Sequence, residues 1–167
     1  MIRVAVTGPE SSGKTTLSKE LCQAFSVAYI PEYAREYLEK TEGKYDQNDL
    51  DQIAEGQLAL FRKHTGNVLI TDTDLTVLKV WSEVKYGKIS DHIIEVDQKF
   101  HFDLYLLCLP DIPWEPDPLR ENQDDRWQLL EHYRNALLEK GSLVIEISGT
   151  REKRIQKAIE AIRALMK

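Results

Sequence analysis

Cysteine is scarce in this sequence, which has two cysteines among its 167 residues. Neither Cys22 nor Cys108 belongs to a Cys-x-x-Cys pair, so we expect both to be core residues of a protein in the reducing cytoplasm. Histidine is also sparse. The four histidines, at positions 64, 92, 101 and 132, do not have the spacing of metal ligands.

Long apolar runs and blocks of basic residues are missing as well. No apolar run approaches the length of a membrane span, so no membrane association is expected. The net charge is −6, which argues against broad nucleic-acid binding. The chain enters an apolar run at its second residue, so neither a signal nor a transit peptide is expected. The oligomeric state stays open.

Apolar runs that resemble buried strands recur along the chain: Ile2–Val6, Val27–Ile30, Val68–Thr71, Asp103–Leu109 and Leu143–Ile147. Helical patterns separate them: a helix from near Lys14, stripes over 50–61, 75–81 and 155–165, and a helix from about Gln128 to Lys140. This alternation predicts an α/β fold with a parallel five-stranded sheet and helices on both faces. At this length we expect a single domain over residues 1–167.

A glycine-rich segment, GPESSGKTT, follows the first run and spans Gly8–Thr16. It matches the phosphate-loop pattern of Gly, four residues, Gly, Lys and Ser or Thr. The two glycines let backbone N–H groups face phosphate oxygens, Lys14 supplies a positive charge, and the Thr15 hydroxyl is a candidate Mg²⁺ ligand. The alternative is a turn without a ligand. The expected ATP-binding residues are Gly8, Pro9, Glu10, Ser11, Ser12, Gly13, Lys14, Thr15, Thr16 and, in the loop after the last strand, Gly149.

Two aspartates follow the third apolar run in the segment VLITDTD. Asp72 stands at the carboxyl end of a predicted strand, where a carboxylate can hold Mg²⁺ opposite Thr15. Either aspartate can instead cap the next helix. We interpret Asp72 as a metal residue and leave Asp74 open between helix cap and substrate contact.

The segment IPEYAREY lies just beyond the second predicted strand. There Glu32 can accept a proton from a substrate hydroxyl, Tyr33 can stack on a flat ring, and Arg35 can bind an anion. The alternative is a solvated helix start, with Glu32 favoured by the helix dipole.

Four of the six prolines fall within positions 110–118, which excludes a helix or an inner strand there. We interpret the stretch of about 110–128 as a lid, because kinases close such segments over the transferring phosphoryl group. Arg120 and Arg126 would act there, and Trp114 would shield the substrate or pin the loop. The alternative is a pair of surface arginines bonded to nearby acidic residues.

Taken together, these motifs resemble a known family. The series GPESSGKTTL, PEYAREY, IAEGQ, ITDTDLT, FDLYLLC, PWEPDPLRE and DDR is similar to the ribosylnicotinamide kinase domain of NadR-type proteins. Members of that family use ATP and Mg²⁺ to phosphorylate the 5′-hydroxyl of nicotinamide riboside. The bifunctional members carry a preceding nucleotidylyltransferase domain, for which this sequence shows no counterpart, so adenylyl transfer is not expected.

The resemblance implies roles for particular positions. Gly8–Thr16 would bind ATP, and Asp72 would belong to the metal site. Glu32, Tyr33 and Arg35 would line the riboside pocket. Trp114, Asp117 and Arg120 would lie near the substrate or the lid. The molecule that the protein binds would be a small nucleoside substrate.

We therefore predict a P-loop kinase in which Lys14, Glu32, Asp72, Arg120 and Arg126 act in catalysis. Two other hypotheses stay open. The protein could be a kinase for another nucleoside or nucleotide, or a NadR-like ATPase that works as a nucleotide-dependent switch. The sequence lacks the Asn-Lys-x-Asp motif that reads guanine, which argues against a GTPase. It also has Thr73 where proteins that drive a partner usually carry a glutamate after the strand-end aspartate.

Overall fold

The computed structural model describes all residues, Met1–Lys167. Its sheet has four parallel strands in the spatial order β2-β1-β3-β4. Their bounds are β1 Ile2–Thr7, β2 Val68–Asp72, β3 Leu104–Cys108 and β4 Val144–Ile147. In the register, Val4 of β1 lies opposite Ile70 of β2 and Leu104 of β3. The first strand is therefore central, and the phosphate loop leaves the sheet at its middle.

Seven helices connect and flank the strands. They are α1 Lys14–Phe25, α2 Tyr33–Lys40, α3 Gln47–Arg62, α4 Leu75–Tyr86, α5 Asp91–Gln98, α6 Arg126–Glu139 and α7 Arg151–Leu165. Each helical pattern read from the sequence corresponds to one of them, and α6 begins two residues earlier than expected. No helix is both long and apolar enough to cross a membrane.

The prediction of a five-stranded sheet is wrong. The run Val27–Ile30 forms one isolated bridge, between Ile30 and Thr71 at the outer side of β2. Pro31 follows at once, and a proline has no N–H group with which to continue a ladder of hydrogen bonds. The segment therefore runs beside the sheet for a single residue pair and then enters α2.

Apolar side chains fill both faces of the sheet, which confirms the predicted covering by helices. One face packs against α2–α6 through residues such as Leu50, Phe61 and Leu130. The other packs against α1 and α7 through residues such as Leu21 and Ile162. All residues of β2 and β3 are buried, as expected for parallel strands that are covered on both sides.

The two cysteines are unpaired and buried in this core. Burial raises the pKa of the Cys22 thiol to about 11 and that of Cys108 to about 12. Both thiols are thus protonated and chemically inert at neutral pH, in line with the expected packing role.

Gly8 offers a test of how tightly the phosphate loop packs on the sheet. Its φ is +131°, and a Cβ added there would lie 2.6 Å from the carbonyl oxygen of Cys108. We predict that Gly8→Ala lowers the free energy of unfolding by about 3 kcal/mol, through backbone strain and overpacking, measured by urea denaturation.

Gly87→Ala is the matched control. Gly87 has a positive φ of +69°, but nothing lies within 4 Å of an added Cβ. It should lose about 1 kcal/mol, the cost of the left-handed backbone alone. Equal losses for the two variants would contradict the close packing of Gly8 on β3.

Candidate active site

The phosphate loop turns through backbone angles that its glycines permit. Gly8 and Gly13 have φ values of +131° and +81°, and α1 starts at Lys14. The Ser12 hydroxyl donates to the Pro9 carbonyl at 2.7 Å and closes the loop on itself. The free N–H groups at the start of α1 and the helix dipole make this loop suited to bind phosphate oxygens.

Lys14 lies across this loop. Its ammonium donates to the carbonyl oxygens of Gly8 at 2.8 Å and Pro9 at 2.7 Å. These bonds keep the positive charge at the loop and in the cleft, where bound phosphates would lie.

Arg154 of α7 braces the same loop and was missed by the sequence reasoning. Its guanidinium donates to the carbonyls of Ser12 at 2.8 Å, Leu109 at 2.9 Å and Gly149 at 2.9 Å, and it pairs with Asp111. The side chain is buried. It therefore joins the phosphate loop to the chain after β3 and after β4. No motif marked it, because an arginine in the first turn of an amphipathic helix usually faces solvent.

Contacts within the protein, rather than with a nucleotide, thus hold Gly149 in position. Its N–H donates to the Asp111 carboxylate at 2.7 Å, and its φ is +90°. The loop that it forms lies beside the phosphate loop through Arg154, but Gly149 does not line the cleft described below. Its expected contact with ATP stays a prediction.

Asp72 is the last residue of β2 and is 3% exposed. One carboxylate oxygen accepts a hydrogen bond of 2.7 Å from the hydroxyl of Tyr29, and the other makes none within the chain. Thr15 at the start of α1 lines the same cleft. A free carboxylate oxygen and a hydroxyl are hard oxygen donors of the kind that Mg²⁺ prefers, so these residues suit the ion.

Asp74 is the N-cap of α4 and accepts from the Thr76 N–H at 3.0 Å. Lys140 lies 3.7 Å from it, and the Asp74 side chain has no exposed surface. It does not line the cleft. Of the two roles considered for Asp74, the structure therefore supports the cap, and its position argues against a substrate contact.

Glu32 lies at the start of α2 and lines the cleft together with Lys14 and Asp72. Desolvation raises the pKa of Glu32; the positive charges of Lys14 and Arg35 oppose this shift, and the negative charge of Asp72 adds to it. As a helix N-cap it accepts no hydrogen bond from its own helix. Its carboxylate is thus available to another partner.

Gln57 of α3 holds the backbone on both sides of Glu32. Its amide donates to the Pro31 carbonyl at 3.3 Å, and its oxygen accepts from the Tyr33 N–H at 2.7 Å. The side chain is 2% exposed. These two bonds fix the entry to α2 and therefore the direction in which Glu32 points. Gln57 lies within the helical stripe over 50–61, and that pattern gave no indication of this role.

Tyr33 does not lie where the sequence predicted. Its ring packs over Gly56, where an added Cβ would lie 2.1 Å from the ring, and it does not line the cleft. The reason is helical geometry: Glu32 and Tyr33 are neighbours at a helix start and point to different sides. The position of Tyr33 therefore does not support the stacking on a substrate ring that the sequence predicted.

Arg35 and Asp117 bind each other. Their ion pair measures 2.7 Å, and the Arg35 hydrogen bond holds the pKa of Asp117 below its usual range. Arg35 also lines the cleft, whereas Asp117 does not. Their ion pair connects α2 to the proline-rich segment. The expected substrate contact of Arg35 stays a prediction, and the position of Asp117 outside the cleft does not support one for Asp117.

The proline-rich segment is fastened to the phosphate loop. The Glu10 carboxylate accepts from the N–H groups of Glu121 at 3.1 Å and Asn122 at 2.9 Å. The Ser11 hydroxyl accepts from the N–H of Glu115 at 2.9 Å. Two variable positions of the phosphate-loop pattern thus hold the segment over the cleft.

The two arginines of this segment flank Trp114. The Arg120 and Arg126 guanidinium carbons lie 5.8 and 5.7 Å from the centre of its ring. Arg120 lines the cleft. Arg126 instead donates to the carbonyls of Ser11 at 3.0 Å and Ile112 at 3.1 Å and does not line it. Trp114 thus pins the loop rather than lining the cleft, and Arg120 is the better placed of the two arginines to meet a phosphate.

One cleft of about 730 Å³ contains these groups. The polar part of its lining includes the phosphate loop, Glu32 and Asp72. The apolar part comes from α2, α4 and α6 and consists of Ala34, Leu38, Val77, Val80, Trp81, Val84, Leu129 and Tyr133. Such a wall suits a flat, weakly polar ligand. No sequence motif marked these residues as a cleft wall, since a cleft wall and a core face have the same periodicity.

A family model described as an AAA domain matches residues 3–154. The chain belongs to this family. It is 31% identical over 124 residues to the trifunctional NAD biosynthesis/regulator protein NadR of Escherichia coli (strain K12). The alignment covers 70% of this chain and 30% of that protein, so the chain spans about a third of the curated relative that it matches.

Solved structures share the fold. A NadR protein in complex with NR superposes with a TM-score of 0.79 at 23% identity, over 98% of this chain and 50% of that one. A thymidylate kinase from Ehrlichia chaffeensis superposes with a TM-score of 0.71 at 15% identity, over 99% and 98% of the two chains. The kinase-like P-loop fold predicted from the sequence is thereby confirmed, apart from the strand number.

Arg154→Lys tests the brace behind the phosphate loop. A lysine cannot reach three carbonyls and a carboxylate at once. We expect a loss of about 2 kcal/mol in the free energy of unfolding, because buried carbonyls lose their donors, and a weaker dissociation constant for AMP-PNP by calorimetry. Arg151→Lys is the control, since Arg151 is 70% exposed and pairs only with Glu20 at the surface. If Arg154→Lys matches that control in both measurements, Arg154 does not shape the loop.

Proposed function

We propose that the protein is an ATP-dependent kinase that phosphorylates the 5′-hydroxyl of nicotinamide riboside and so forms nicotinamide mononucleotide. The observation that carries this proposal is the position of Glu32. Its carboxylate lies in the cleft between the phosphate loop and an apolar wall, where a substrate hydroxyl would meet the terminal phosphate.

The polar part of the cleft lining would bind ATP. The phosphate loop and Lys14 would hold the phosphates, while Thr15 and Asp72 would hold Mg²⁺. When bound, this ion neutralises charge on the phosphate oxygens. Arg120, at the edge of the cleft, would add positive charge as the segment of about 110–128 closes like a lid.

Glu32 would act as the general base. A carboxylate must be ionised to accept the proton of the 5′-hydroxyl, and a raised pKa makes the ionised form a stronger base. The opposing charges of Lys14 and Arg35 limit how far the pKa rises. Its place at the mouth of the phosphate loop would direct the oxygen toward the terminal phosphorus.

The apolar wall would bind the ring of the acceptor. Trp81 and Tyr133 offer aromatic surface there, in the place of the stacking first expected of Tyr33. The similarity to NadR, including a NadR protein in complex with NR, supports nicotinamide riboside as the first acceptor to test. Another nucleoside or a nucleotide is the next candidate, since a thymidylate kinase shares the fold.

The acceptor assay measures ADP formation with and without nicotinamide riboside. We expect the riboside to accelerate ADP formation and its 5′-deoxy analogue to be inactive. Glu32→Gln should lower kcat by a factor of about 10² to 10⁴, the usual contribution of a general base, with little change in ATP affinity.

Glu36→Gln is the matched control for that assay. Glu36 lies one turn further along α2, is exposed, and pairs with Lys40 at the surface. It should behave like the native protein. Acceleration by other nucleosides alone would contradict the proposed substrate, and ADP formation that no acceptor changes would contradict a kinase.

The pH dependence gives an independent check on the base. The pKa of Glu32 lies above its ordinary value of 4.5, and only the deprotonated form is active. As the pH falls, kcat/KM, which reports groups of the free enzyme, should therefore decline at a pH above 4.5, and Glu32→Gln should abolish this acid limb. An unchanged acid limb in the variant would assign the titration to another group.

A further inference from the structure

Tyr29 is a cleft residue to which the kinase chemistry above gives no role. It stands just before the Ile30 bridge, is half-buried, and lines the cleft beside Asp72. Its hydroxyl donates to one oxygen of the Asp72 carboxylate at 2.7 Å. A phenylalanine ring would fill the same space, so packing alone does not account for the hydroxyl.

The backbone fixes this pair. The Asp72 N–H donates to the Ile30 carbonyl at 3.0 Å, which holds the two segments in register next to the side-chain bond. The Lys19 ammonium lies 5.5 Å from the centre of the Tyr29 ring. The ring is thus held through its backbone and by a neighbouring charge, and its hydroxyl meets a carboxylate that is itself anchored at the end of β2.

Two oxygens of one carboxylate therefore have different surroundings. Oδ2 is bonded to the tyrosine hydroxyl, and Oδ1 makes no hydrogen bond within the chain. A bond to one oxygen restricts rotation of the carboxylate about its terminal torsion, which is otherwise broad. Metal ligands are commonly oriented in this way by a partner that does not touch the ion.

We infer that Tyr29 is a positioning residue, whose hydroxyl bond to Oδ2 orients Asp72 so that Oδ1 faces the divalent cation of the nucleotide complex. The inference rests on the proposed function, in which Asp72 serves the metal.

The test is Tyr29→Phe, with Mn²⁺ as a paramagnetic probe for the divalent cation. Free Mn²⁺ is titrated by electron paramagnetic resonance in the presence of protein and AMP-PNP, so no acceptor or turnover is needed. We expect Mn²⁺ to bind about ten-fold more weakly to the variant, the usual effect of losing such a partner. AMP-PNP affinity without metal should stay the same.

Tyr37→Phe is the matched control. The Tyr37 hydroxyl also donates to an aspartate, Asp49, at 2.6 Å, but this bond joins α2 to α3 and neither residue lines the cleft. It should leave Mn²⁺ affinity unchanged. Urea denaturation of both variants shows whether a loss of stability, rather than of orientation, accounts for a change.

Asp72→Asn separates the inference from the proposed function. If it weakens Mn²⁺ binding and Tyr29→Phe does not, the positioning role is overturned while the metal assignment stands. If Tyr29→Phe strengthens Mn²⁺ binding, the hydroxyl competes with the ion, and the inference is again overturned. If Asp72→Asn changes nothing, the metal assignment and the inference fall together. A protein with the expected Mn²⁺ affinities but no kinase activity would contradict the proposed function alone.

Discussion

The shape of the phosphate loop depends on one buried cation, Arg154. Its guanidinium binds carbonyls from the loop itself, from the end of β3 and from the turn after β4. A phosphate loop must point its N–H groups inward, which turns some of its carbonyls outward into the protein. Arg154 supplies the donor that the Ser12 carbonyl needs there, with Asp111 balancing its charge. The start of the loop is set by the contact of Gly8 with Cys108 of β3.

Several other polar side chains of the cleft also bind protein backbone. Glu10 and Ser11 hold N–H groups of the proline-rich segment, and Gln57 holds the backbone around Glu32. The candidates to meet a ligand are fewer than the motifs imply. They are Thr15, Glu32 and Asp72, together with Lys14, whose ammonium also binds loop carbonyls, and Arg120, which also donates to the Glu115 carbonyl. The same cleft has apolar and aromatic lining residues, and this combination favours a nucleotide and a ring-bearing acceptor bound together.

Much of this architecture could be predicted from the sequence, because it depends on local patterns. The phosphate loop, the strand-end position of Asp72 and the helical stripes each have a periodicity or spacing that physics constrains. The failures have physical reasons. The run ending at Ile30 has strand composition, but Pro31 stops its ladder. Tyr33 neighbours Glu32 in sequence and yet points toward Gly56 on another helix. Arg154 and Tyr29 act through tertiary contacts, and no spacing within the chain marks such contacts.

The proposed function requires that the terminal phosphoryl group of ATP is transferred to a nucleoside hydroxyl and not to water. This can be followed with ATP carrying ¹⁸O in its γ-phosphoryl group, using mass spectrometry of the products formed with nicotinamide riboside. We expect the label to appear in the phosphomonoester of the riboside. Label found in inorganic phosphate, with the riboside unchanged, would contradict it.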